Sequence, residues 1–126
     1  MKRLILAFGL ICILISYSLL TEKFILSFCD NINDTLQICA DLIAEEKYSQ
    51  AEHAVSMLYN IWEEKDDIMS AFIGDDSVVE PRKSIVSILL SLKDGNYDEC
   101  LINIRECQGY IHDISENNST NLSNIL

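Results

Sequence analysis

The sequence LILAFGLICILISYSLL occupies residues 4–20 and contains no charged side chain. Lys2 and Arg3 precede it, and Glu22 is the first acidic residue after it. At a rise of about 1.5 Å per residue, a helix of this length extends about 25 Å, close to the thickness of the hydrocarbon core of a bilayer. The run therefore predicts a helix that crosses a membrane once.

Two kinds of N-terminal segment begin with positive charge and an apolar run: a cleaved signal peptide and an uncleaved signal anchor. The residues after the run, 21–28, include large side chains and no small-x-small cleavage pattern. Phe28 directly before Cys29 is too bulky for a lipoprotein processing site. The sequence therefore favours the signal anchor over the signal peptide.

The charges around the run predict the orientation of the chain. Lys2 and Arg3 place the N terminus in the cytoplasm by the positive-inside rule. All twenty acidic residues follow the run, but only seven of the nine basic residues do. We predict a single-pass protein of the cell membrane, in which residues 1–3 form a cytoplasmic stub, 4–20 the transmembrane anchor and 21–126 an extracytoplasmic domain.

The composition limits the fold and the partners of residues 21–126, which are enough for one small domain. One proline, four glycines and 49% hydrophobic residues favour an all-α chain. The net charge of −11 argues against binding to nucleic acid, because phosphates require clustered lysine and arginine. The sequence does not determine whether the chain forms homo-oligomers.

Apolar residues recur at spacings of three and four between Phe24 and Ile43, which is the period of an α-helix. This pattern predicts that the anchor and the first helix of the domain form one rod, ending near Glu46. Ser49 and Glu52 have the spacing of a capping box and predict the start of a second helix. Gly74 is typical of its C-terminal end.

The remaining segments predict two further helices and the turns around them. Residues 75–81 are expected to form a connection that places Pro81 in the first turn of the third helix. The segment 93–97 has turn composition, and a fourth helix is predicted from about Asp98 to Ile114. The polar residues 115–121 are expected to form a loop, after which the apolar C terminus folds back onto the bundle.

Two short segments resemble each other. Residues 46–51 and 95–100 each carry a tyrosine, Tyr48 or Tyr97, three residues before a small side chain at the start of a helix. This weak repeat places the two tyrosines at equivalent hairpin turns, as in tetratricopeptide-like helical hairpins. The predicted fold is therefore all-α: a transmembrane helix that continues into a small antiparallel four-helix bundle of two hairpins.

Four aromatic residues are candidates for core packing or for partner-binding anchors: Trp62, Tyr59, Phe72 and Tyr110. The acidic residues of the second helix are expected to form a solvated face, namely Glu63, Glu64, Asp66 and Asp67. Asp75, Asp76 and Glu80 could bind a hard cation loosely from a loop, but they lack the spacing of a calcium-binding loop.

The residues that commonly carry chemistry are not arranged as in an enzyme. His53 and His112 are assigned to packing or helix capping. Five cysteines cannot all pair internally, and those outside the anchor fall on apolar helical faces, so we predict buried thiols, with a disulfide between helices as the alternative. We expect no catalytic residue, no metal and no cofactor.

Several segments together resemble the domain of unknown function 4363 family, which comprises uncharacterised membrane proteins of low-GC Gram-positive bacteria. The resemblance rests on the basic start and single anchor, and on these segments: Trp62, Phe72–Ile73, Tyr110–Ile114 and Asn121–Leu126. Asp75 stands where the family pattern has a histidine. The resemblance implies a membrane-anchored helical domain and provides no catalytic residues.

These observations favour a non-catalytic interaction module that binds another membrane or cell-envelope protein. The alternative is an extracytoplasmic domain that senses a ligand and acts through a membrane partner, because a three-residue stub cannot signal inward alone. An enzyme is the least favoured class, since no nucleophile–base pair or phosphate-binding loop is present in the sequence.

Overall fold

The protein is described by a computed structural model, which covers the backbone of residues 1–125 and the side chains of residues 1–117. Residues 1–125 contain four helices and no strand: α1 (Lys2–Ala44), α2 (Tyr48–Ile73), α3 (Asp75–Lys93) and α4 (Tyr97–Ile125). The predicted all-α class is confirmed.

Helix α1 is continuous from the apolar run into the bundle, as predicted. A single helix extends from Lys2 to Ala44, and where the run ends the Thr21 hydroxyl donates a hydrogen bond of 2.8 Å to the Tyr17 carbonyl one turn earlier. No side chain of residues 4–20 is buried, whereas one face of α1 from Ile25 to Ile43 is buried in the core. One rod therefore has an uncovered apolar half and a packed half.

The four helices form a closed antiparallel bundle rather than an open stack of hairpins. Helix α1 packs against α2 and α4, and α3 packs against the same two helices. The core between them contains Leu36, Leu58, Ile85 and Ile104, each at most 2% exposed. Burial of such side chains contributes about 2 kcal/mol each relative to exposure, so the interior of the ring is the main source of stability.

The two hairpins, α1–α2 and α3–α4, repeat one packing pattern. The Tyr48 and Tyr97 rings stack on each other with centroids 3.7 Å apart and planes 3° from parallel, which confirms that the tyrosines occupy equivalent turns. Buried residues of the first hairpin correspond to buried residues forty-nine positions later: Cys29/Val78, Ile32/Pro81, Leu36/Ile85, Cys39/Ile88, Ile43/Leu92, Ala51/Cys100, Val55/Ile104, Leu58/Cys107 and Trp62/Ile111. The bundle is therefore built from two equivalent halves.

The backbone of the two hairpin turns is also equivalent. Lys47 N–H donates to the Leu42 carbonyl at 2.8 Å, and Asn96 N–H donates to the Ser91 carbonyl at 2.9 Å. These bonds satisfy the last carbonyls of α1 and α3, as in a Schellman motif. The predicted capping box at Ser49 is wrong, because α2 begins at Tyr48 and no side chain caps its N terminus. The turn and the tyrosine stack determine where α2 starts.

One difference between the turns gives a testable prediction. Glu46 and Gly95 occupy equivalent positions in the first and second hairpin turns, and both have left-handed backbone, with φ of 61° and 76° respectively. Left-handed backbone costs a non-glycine residue about 1 kcal/mol. We expect Glu46→Gly to raise the melting temperature by about 5 °C and Gly95→Glu to lower it by a similar amount. Thermal unfolding followed by circular dichroism checks both, and a lower melting temperature for Glu46→Gly would contradict the equivalence.

The connection between α2 and α3 is shorter than predicted. Gly74 alone joins the helices, with φ 92° and ψ 151°, so the expected loop at residues 75–81 is wrong. Asp75 and Asp76 occupy the first turn of α3, where negative charge interacts favourably with the helix dipole. Pro81 lies inside the helix rather than in its first turn, and its ring is buried in the core.

Helix α4 is longer than predicted. It continues through Ile114 to Ile125, so the expected loop at residues 115–121 is wrong. The segment is polar but contains neither glycine nor proline, the residues that break helices most strongly. The predicted folding back of the C terminus concerns side chains outside the described residues.

Candidate functional site at the base of the bundle

We call the end of the bundle where α1 enters it the base. There the Phe24 ring meets the Phe72 ring edge-to-face at 6.0 Å, just before α2 turns into α3 at Gly74. The opposite end carries the two hairpin turns and the tyrosine stack. The base therefore contains the interhelical turn that connects the two halves. Residues on both sides of this turn, such as Phe72 and Asp76, line the first cavity described below.

The four aromatic candidates lie in different environments. Trp62 is 1% exposed and packs against Phe28 with ring centroids 5.7 Å apart, so it is a core residue. Tyr59 is half-buried at the edge of the core, away from the base. Phe72 and Tyr110, from α2 and α4, line the same cavity at the base. The structure therefore brings two of the four together.

Asp66 belongs to a hydrogen-bonded network and not to the solvated face predicted for it. It accepts a bond of 3.0 Å from the Trp62 indole N–H and a bidentate pair, 3.1 and 3.0 Å, from Arg82. This network ties α2 to α3 beside the core. The equivalent of Arg82 in the first hairpin is Asn33, whose buried Oδ1 has no hydrogen bond among the described residues.

The cavity at the base combines aromatic and acidic groups. It has a volume of about 500 Å³ and is lined on its apolar side by Phe72 and Tyr110. Asp76, Glu80 and Asp113 surround it and are exposed. Asp76 and Glu80 are four residues apart on α3, so they lie on one face of the helix instead of in a loop. Aromatic faces and carboxylates both attract cations, so this cavity suits a basic side chain.

A second cavity lies between α1 and α2 and has the opposite charge. This groove has a volume of about 530 Å³ and extends from Leu20, the last residue of the apolar run, to Thr35. Phe24, Phe28 and Ile61 are among its apolar lining, and its two charged lining residues are Lys23 and Lys65. It is therefore an apolar groove flanked by positive charge.

The cysteines are free thiols, and four of the five are buried. Burial raises the pKa of Cys29 and Cys39 to about 11 and that of Cys107 to about 12. A thiol with so high a pKa is protonated at neutral pH and is a poor nucleophile. The prediction of buried apolar thiols is confirmed, and Cys12 is exposed on the apolar run.

The histidines lie on helix surfaces. His53 is exposed on α2. His112 lies inside α4 instead of near its end, so its predicted capping role is wrong; its Nε2 is 3.1 Å from the Glu116 carboxylate. Among the described residues, no three side chains of the histidine, cysteine, aspartate or glutamate type are grouped closely enough to hold a metal ion.

Helix α1 is the one helix within residues 1–125 that is long and apolar enough to cross a membrane, with mean hydropathy 2.4 in its most apolar window. Comparison with curated proteins gave no match, and neither did comparison with solved structures. A family model described as a domain of unknown function, DUF4363, matches residues 19–125. It covers the whole bundle together with the end of the apolar run, and the chain therefore belongs to this family.

Proposed function

We propose that the chain is a single-pass protein of the cell membrane and a non-catalytic interaction module for another membrane or envelope protein. Residues 4–20 cross the bilayer, Lys2 and Arg3 remain in the cytoplasm, and the bundle lies outside the cell. The alternative, an extracytoplasmic ligand-sensing domain, has no observation that favours it over an interaction module.

The observation that carries this proposal is that one half of α1 is apolar and uncovered, whereas the other half is packed in the core of the bundle. Its apolar run has no packing partner in the bundle, and large side chains such as Leu4, Phe8 and Ile13 are 67–74% exposed. An uncovered apolar helix is costly in water and stable in lipid. Because the same helix then enters the core, the bundle is held at a fixed distance from the bilayer with its base toward the lipid.

A base that faces the bilayer suits contact with the juxtamembrane segment of a neighbouring protein. Phe72 and Tyr110 offer aromatic surface, and Asp76, Glu80 and Asp113 offer negative charge. We propose that this cavity accepts a lysine or arginine of the partner. Such a contact pairs opposite charges and covers aromatic side chains, which are enriched at protein interfaces.

Photo-crosslinking in native membranes tests the proposal. A photoreactive amino acid in place of Ser77, which lines the cavity, is expected to yield a covalent product with another protein. The triple change Asp76→Asn, Glu80→Gln and Asp113→Asn is expected to reduce that product about tenfold, because it removes three charges from the contact.

Two controls separate this contact from general electrostatics. Glu63→Gln, Glu64→Gln and Asp67→Asn remove the same charge from an exposed face of α2 and should leave the product unchanged. The photoreactive group in place of Ser49, near the hairpin turns, should give no such product. If the photoreactive group in place of Ser77 gives only monomer and no cross-linked product, the proposed docking site is overturned.

A further inference from the structure

We propose that the groove between α1 and α2 binds an anionic phospholipid. One acyl chain lies along the surface of α1 from Leu20 to Phe28, and the phosphate lies between Lys23 and Lys65. This inference rests on the proposed function, because lipid reaches the groove only if residues 4–20 cross the bilayer.

The apolar lining of the groove continues the surface of the membrane-spanning run. Leu20 belongs to both, and Phe24 and Phe28 follow it at helical spacing along the same side of α1. Ile61 of α2 forms part of the opposite wall and is 39% exposed. An acyl chain that follows α1 out of the hydrocarbon core therefore stays in contact with apolar side chains.

Lys23 lies at the level of lipid headgroups. It follows Leu20 by three residues, which is about 4.5 Å along the helix axis. The headgroup layer of one leaflet is about 5–8 Å thick. The exposed Lys23 side chain therefore reaches the phosphate layer without crossing apolar lipid.

Lys65 lies at a similar level on the opposite wall. It is positioned between Trp62 and Phe72 on α2, and these contact Phe28 and Phe24 respectively. The Lys65 backbone is therefore level with the part of α1 between Phe24 and Phe28. That part lies about 6–12 Å beyond Leu20 along the helix axis. A lysine side chain extends far enough to return its ammonium group to the phosphate layer.

The electrostatics select an anionic headgroup. Neither Lys23 nor Lys65 forms an ion pair with another described residue. The chain as a whole has a charge of −11, so its general surface is repelled by anionic lipid. The lining of the groove itself carries two positive charges, Lys23 and Lys65, whereas Glu22 and Asp30 lie with Lys23 on a neighbouring face of α1.

The test uses the full chain in lipid nanodiscs that contain phosphatidylglycerol with a photoreactive acyl chain, diluted in phosphatidylcholine. Mass spectrometry locates the labelled peptides. We expect labelling between residues 20 and 35 and at residues 61–65. The double change Lys23→Gln, Lys65→Gln should raise the phosphatidylglycerol fraction needed for half-maximal labelling about twenty-five-fold, since each lysine near anionic lipid contributes about a fivefold gain.

Two variants make the test specific. Lys83→Gln, Lys93→Gln removes the same charge outside the groove and should leave labelling unchanged. Ser27→Trp fills the groove without changing its charge and should abolish labelling beyond residue 20. Equal labelling by photoreactive phosphatidylcholine, labelling confined to residues 4–20, or a protein cross-linked in the groove would overturn the inference. Flotation of the discs shows separately whether the chain is inserted in lipid. A chain that does not float with the discs would overturn the proposed function as well as this inference.

Discussion

Replacing Trp62 with alanine is expected to lower the free energy of unfolding by about 4 kcal/mol. The side chain is 1% exposed and its ring packs against Phe28, so its removal leaves a large cavity in the core. The change also removes the N–H that donates to Asp66. Domains of this size are stable by about 5–15 kcal/mol, so the loss is a large part of the total.

Chemical unfolding in detergent micelles, followed by far-ultraviolet circular dichroism, measures this loss. Trp62→Phe is the matched control: it keeps an aromatic ring but loses the bond to Asp66, and we expect a smaller cost of about 2 kcal/mol. Ile111→Ala, at the equivalent position of the second hairpin, should cost about 3 kcal/mol. A cost below 1 kcal/mol for Trp62→Ala would show that Trp62 is not packed as described.

The helical hairpins could be predicted because their signals agree along the whole sequence. The apolar spacing from Phe24 to Ile43 continues the period of the run, so the sequence offers α1 no place to end. Tyr48 and Tyr97 mark the two turns, and their stacked rings explain why the same residue type occurs in both. The single rod of α1 follows from the first of these observations, and the positions of the two hairpin turns follow from the second.

The start of α3 could not be predicted because local and tertiary preferences conflict there. Proline in a helix interior costs about 3 kcal/mol, which favours a helix that starts near Pro81. The structure instead buries Val78 completely and places Pro81 in the position that Ile32 occupies in the first hairpin. The burial of Val78 and Pro81 in the core offsets the cost of a proline inside the helix. No sequence pattern shows whether this packing energy or the proline cost is larger.

The candidate site was predicted only in part. The sequence indicates Phe72 and Tyr110 as candidates, but their shared cavity depends on how α4 packs at the base. Asp66 and Arg82 are sixteen residues apart on two helices, a spacing that has no sequence signature. Asp66 therefore resembles its exposed acidic neighbours until the packing of α2 against α3 is known.

Removing residues 1–20 is expected to transfer the protein completely from membranes to the soluble fraction while the bundle stays folded. Leu, Ile and Phe side chains contribute about −0.3 to −0.6 kcal/mol each to membrane insertion, and the run contains eleven of them, so it supplies about 5 kcal/mol. The core begins at Ile25, and no side chain of residues 4–20 is buried. The truncation therefore removes the membrane affinity without removing a core contact.

Graded substitutions test this estimate more closely than truncation. An arginine at the centre of the run costs about 3 kcal/mol, so Ile11→Arg should weaken membrane association and the double change Ile11→Arg, Leu14→Arg should abolish it. Ile11→Leu is the conservative control and should remain in the membrane fraction after alkaline extraction. Soluble full-length protein, or a double variant that still resists extraction, would contradict a spanning helix. Unchanged helicity of residues 21–126 in every variant would show that the run positions the bundle and is not required for its folding.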